Sequence, residues 1–186
     1  MCWHEHDGPQ LMRISLGSTT EIRAMVSLRC TQKLLRHWPG PIEAAPLPTT
    51  TVLGDWYCTA LNHRHRRLIL GLAERSLLPV VVPAKELGTF PVRLAAEALR
   101  ILEVLGVSAK LRDQESRGMA EWVIAKTNNR SVLGSIKDLG FLALVFLDRY
   151  PEATPEALAA ELIRVPCGPL EHVFPGRQTQ LLFRAA

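Results

Sequence analysis

The chain is 186 residues long, 47% hydrophobic and 22% charged, the profile of one globular domain large enough to bury a core without disulfide or metal staples. Its 22 basic residues, 17 Arg and 5 Lys, stand against 18 acidic ones for a net charge of +4, a modest excess beside strongly basic nucleic-acid-binding domains. No apolar run reaches the ~20 residues of a membrane span, and no signal-peptide pattern opens the chain; the sequence therefore predicts a cytoplasmic protein without membrane association.

Residues 1–24 read as a tail. Met1-Cys2-Trp3-His4-Glu5-His6-Asp7 gathers metal-ligand residue types but lacks the second cluster that would complete a zinc shell, so no metal is expected. Met25 opens Val26-Ser27-Leu28-Arg29-Cys30-Thr31, an alternating segment suited to a strand. Met25 is accordingly the expected native start, with 25–186 forming a single domain. Prolines at 39, 41, 46 and 48 mark an extended surface connection. Asp55-Trp56-Tyr57 reads as a polar turn followed by core aromatics. Arg67 to Ala73 and Leu77 to Pro83 are two short apolar runs separated by Glu74-Arg75-Ser76, a hairpin whose second strand is placed at a sheet edge, or ended early, by Pro79 and Pro83.

Helices dominate the C-terminal half. Leu94, Ala98, Ile101, Leu102 and Leu105 recur at helical spacing, with Thr89 as N-cap, Pro91 in the first turn and Gly106 just past the end. A charged helix is expected over Ser108 to Arg117, and a β-branched strand over Glu121 to Thr127. Leu139, Leu142, Ala143, Phe146, Leu147 and Tyr150 line a further helix, and Thr154-Pro155-Glu156 starts a short one. Strands mixed with helices predict an α+β fold, a small, largely antiparallel sheet with helices packed on one face.

Two places attract a search for chemistry. The charge excess concentrates in residues 25–83, and its densest part is His63-Arg64-His65-Arg66-Arg67. Arg64, His65, Arg66 and Arg67 form a basic patch able to attract phosphates, or simply a solvated Arg-rich surface. The second place is Ala125 to Ser135, where a strand ends, two Asn permit a turn and a Ser opens a helix. Free N–H groups and the helix dipole favour an anion there, with Lys126, Asn128, Asn129, Arg130, Ser131 and Ser135 as candidate ligands. The structural alternative gives the turn to the Asn pair and the helix cap to Ser131 or Ser135. No phosphate-binding P-loop, dinucleotide loop, zinc-protease helix or nucleophile elbow is present, so no cofactor is expected.

Cys2, Cys30, Cys58 and Cys167 contain no C-x-x-C pair and read as buried, reduced thiols. A nucleophilic pairing of Cys30, Cys58 or Cys167 with His63, His65 or His172 has no local support. Glu121 and Lys126 are five apart, so on a strand they point to opposite faces and do not make a nuclease-type acid–lysine pair.

Ser27 to Leu35, Gly54-Asp55-Trp56-Tyr57, Leu77 to Val81, Ala125 to Ser135 and Pro166 to Leu170 together resemble an uncharacterised bacterial domain family of unknown function. The resemblance spans Met25 to Leu170 and implies a start near Met25. Where such proteins tend to read G-S-M-N-D, this chain has Gly134-Ser135-Ile136-Lys137-Asp138. The resemblance implies no activity, cofactor or catalytic residue. Three functions stand as expectations. The first is a non-catalytic module contacting a phosphate-bearing partner, such as nucleic acid, through 126–135 and the basic patch. The second is an enzyme of small phosphorylated substrates or nucleic acids with Asp55, Lys126 and Arg130 converging in a pocket. The third is a protein-interaction module with no anion site.

Overall fold

A computed structural model describes residues 25–171 and 173–186; the tail, Cys2 and His172 lie outside them. Strand β1 is Met25–Cys30, followed by a single helical turn α1, Gln32–Leu35. Strands β2 (Trp56–His63), β3 (Arg66–Ala73) and β4 (Pro79–Pro83) run as consecutive hairpins. Helices α2 (Phe90–Val104) and α3 (Ala109–Met119) lead to β5, Glu121–Lys126. Helices α4 (Arg130–Arg149), α5 (Pro155–Leu162) and α6 (Pro175–Ala185) complete the order.

The fold is α+β, and its sheet is mixed, in the order β4-β3-β2-β1-β5. The longest ladder, β2 with β3, is antiparallel, whereas β1 runs parallel to both β2 and β5. The β3–β4 hairpin forms as its sequence predicts, with β4 at the edge where its prolines leave no ladder incomplete. Arg64 and Leu77 adopt the left-handed conformation (φ 53° and 54°) in the two tight connections.

Helices cover both faces of the sheet, not one. Gly71 lies opposite Cys58 in the β2–β3 ladder, and a Cβ placed on it would stand 2.6 Å from Leu94 Cδ1 of α2. Leu61, three residues beyond Cys58 and so on the other face, meets Gly140 of α4. The reason lies in β3 itself: Leu68 to Ala73 are all buried, and an uninterrupted apolar run needs cover on both sides. Trp56, Tyr57, Leu70, Leu72, Phe90 and Leu94 are wholly enclosed at the centre.

Local signals set several helix ends. Ser108 Oγ accepts the Leu111 N–H, and Thr154 Oγ1 accepts that of Ala157. Gly106 takes a positive φ of 79° past the end of α2. Thr89 departs from its expected role: it makes no side-chain cap, and its hydroxyl donates instead to the Glu86 carbonyl. Two elements lack a clear sequence signal. The second half of β2 is hidden by Thr59 and Asn62, which break the apolar run, and α6 by Pro175-Gly176 at its start. That glycine is required by packing, since a Cβ there would lie 2.8 Å from Ile163 Cγ2.

Candidate functional site

The 126–135 segment is built largely to finish α4. Asn129 is extended (φ −112°, ψ 111°), and its Oδ1 accepts the N–H groups of Ser131 at 3.0 Å and Val132 at 3.3 Å. The cap is therefore Asn129, not Ser131 or Ser135, because only a residue just outside the helix can turn its side chain back onto those donors. Ser135 is buried, and its hydroxyl donates to the Ser131 carbonyl. Asn128 Oδ1 accepts from the Tyr57 hydroxyl at 2.5 Å. Lys126, Arg130 and Ser131 remain exposed.

Beneath this loop lies a polar knot. Asp55, 5% exposed, accepts the Ser27 N–H at 3.3 Å and Arg29 Nε at 2.6 Å. Arg29 also reaches the Lys126 carbonyl at 3.4 Å. Tyr57 donates to Asn128 and lies 3.4 Å from Glu74 Oε1. Burial, reinforced by the Glu74 charge, pushes its phenol up to about 12. Asp55 is thus committed to Arg29, a partner 26 residues away that no local pattern singles out. Among the described residues no hydrogen bond or ion pair joins Asp55 to Lys126 or Arg130. Trp56 and Tyr57 are core aromatics, as the sequence predicts.

The 63–67 cluster divides between the two faces of the sheet. His63 is buried, with Nε2 at 2.9 Å from Asp148 Oδ1 of α4, and Arg66 Nη1 donates to the Pro151 carbonyl at 2.7 Å. Arg64 and His65 occupy the β2–β3 turn and are exposed. Arg67 pairs with Asn62 across the ladder on the face away from α4. There it joins Lys33 and His37 around a groove of about 340 Å³ floored by Leu34 and Ala60. Among the described residues, the side chains of Lys33, His37 and Arg67 have no hydrogen-bond or ion-pair partner, and the groove lining contains no carboxylate.

Strand register relates the two places. Lys126 stands level with Cys30 and Cys58, and Cys58 shares a face with Asn62. Lys126 and Arg67 therefore project from the same side of the sheet. The basic turn begins six residues farther along the chain from Cys58, roughly 20 Å at the usual rise per residue. Lys33 and His37, one helical turn apart, were invisible as site residues because they come together with Arg67 only through the β1–β2 and β2–β3 pairings.

Among the described residues, Cys30, Cys58 and Cys167 are free and buried. Cys30 and Cys58 face each other in register, both buried and free. The adjacent Cys30 thiol, then burial, raises the Cys58 pKa. Burial, then the charge of Asp138, raises that of Cys167. Among the described residues no group of three His, Cys, Asp or Glu is arranged to hold a metal, and no helix is long and apolar enough to cross a membrane.

A family model matches residues 27–178, from β1 into α6. The chain belongs to the family described as Domain of unknown function (DUF6933). The matched range takes in the groove, the polar knot and the capped loop, so all three lie within the family domain. No curated protein and no solved structure matches the chain.

Proposed function

We propose that this family member is a non-catalytic binding module whose groove of Lys33, His37, Asn62 and Arg67 takes the phosphates of a nucleic-acid strand. The observation that carries the reading is the convergence of three basic side chains, without a partner among the described residues, on one concave surface without a carboxylate. Basic groups held in a cleft concentrate their field on an anion. Asn62 adds an amide donor, and Leu34 and Ala60 give an apolar floor. Arg64 and His65 in the adjoining turn, with Lys126 farther along the same face, extend the positive track. The 126–135 loop then contributes charge at its margins rather than a helix N-terminus, since Asn129 already takes two of the free N–H groups. The commitment of Asp55 to Arg29 favours binding over catalysis.

The test is a fluorescence-anisotropy titration with a labelled single-stranded oligonucleotide across a salt series. Three phosphate contacts give a slope of log K against log salt of about −2. Lys33→Ala with Arg67→Ala weakens binding more than tenfold while leaving the thermal melt unchanged. Absence of binding at low salt refutes the reading.

A further inference from the structure

Helix α4 is apolar on two sides. Val132, Ile136, Leu139, Ala143 and Leu147 pack onto the sheet side and are buried. On the outer side Phe141, Leu142 and Val145 are 67%, 39% and 50% exposed. Asp138, Phe141, Leu142, Val145 and Arg149 recur at i, i+3, i+4, i+7 and i+11, which lines them up as a single stripe. The stripe borders a groove of about 890 Å³ between α4 and α5, lined by Phe146, Tyr150, Leu162 and Val165 among others. A helix apolar on both sides is normally covered on both.

We propose that a second copy of this chain covers it, with the two α4 helices antiparallel about a two-fold axis passing between residues 143 and 144. The charge pattern selects this occupant. Asp138 and Arg149 stand equally far from that centre, as do Leu142 and Val145. Reversing one helix therefore sets Asp138 of each copy against Arg149 of the other, at both ends, with Leu142 against Val145 between them. A parallel copy in register would oppose Asp138 to Asp138 and Arg149 to Arg149. Among the described residues neither charge has an ion-pair partner of its own; Arg149 rests over the Tyr150 ring, 5.6 Å from its centroid. Such self-complementarity is what an isologous two-fold interface requires.

Sedimentation equilibrium of the full chain from roughly 10 to 500 micromolar reads the result. The 20.7 kDa monomer is expected to give way to a species of twice its mass. Asp138→Arg and Arg149→Asp each weaken the dimer roughly tenfold by placing like charges at both ends, and the double exchange restores it. Val145→Glu, at a half-exposed position, yields folded monomers by circular dichroism. A wild-type chain that stays monomeric overturns the proposal. So does a double exchange no better than the single ones, or a Val145→Glu chain that still dimerises. Nucleic-acid binding, whether found or not, leaves these outcomes unaffected.

Discussion

The polar knot under the 126–135 loop and the basic groove on the other face contain similar residue types in opposite circumstances. In the knot, Arg29, Asp55, Tyr57, Asn128 and Asn129 each direct their hydrogen bonds to one another or to the backbone. In the groove, Lys33, His37 and Arg67 make none within the described chain. A satisfied cluster holds elements together, whereas an unsatisfied one facing solvent is available to a ligand. Arg66 and Arg67 make the contrast within two residues: the first is tied to the Pro151 carbonyl, and its neighbour's side chain has no partner among the described residues.

Substitutions separate the two roles. The largest loss falls on Asp55→Ala, which strands a largely buried Arg29 and an unpaired Ser27 N–H; urea denaturation is expected to give a loss of about 3 kcal/mol. If Asp55→Ala costs no more than an exposed substitution, the knot is not structural. Glu115 in α3 makes the same kind of tie outside the knot, 1% exposed and accepting the Val52 and Leu53 N–H groups. Glu115→Ala leaves both donors orphaned and costs about 2 kcal/mol. Asn129→Ala removes the α4 cap for about 1 kcal/mol, while Ser131→Ala falls within about 0.5 kcal/mol of wild type; the reverse order would return the cap to Ser131.

Tyr57 gives a spectroscopic version of the same comparison. Its folded value of about 12 exceeds the ordinary 10, so between those pH values the unfolded chain releases a proton that the folded chain keeps. Stability conferred by this group is complete below pH 10 and declines as pH rises through that window. The absorbance titration of a Tyr150→Phe chain, which retains only Tyr57 of the two tyrosines, follows it. Asn128→Ala removes one tie and advances the phenolate transition toward lower pH if the knot is what excludes water.

Local chemistry made much of the fold legible. The prolines of β4 announced an edge strand, Ser108 and Thr154 their helix starts, and the alternation of Val26 to Cys30 a strand. Two-sided packing was legible only in part: the run from Leu68 to Ala73 signals burial on both faces, but short apolar runs fit several architectures. Of the basic cluster, the sequence pointed to Arg67 and not to its companions, because Lys33 and His37 lie about thirty residues away and reach it through strand pairing. Asn129 was visible as a turn residue, and its capping role depended on where α4 began, which is the least certain feature of a sequence pattern.

The most direct measurement is oligonucleotide affinity at low salt for two paired variants, Lys33→Ala with Arg67→Ala in the groove and Lys126→Ala with Arg130→Ala at the loop. The groove pair is expected to lose more than tenfold and the loop pair only a few-fold, both with wild-type melting temperatures. A loop pair that loses more than the groove pair, or a groove pair that binds as wild type does, contradicts that expectation.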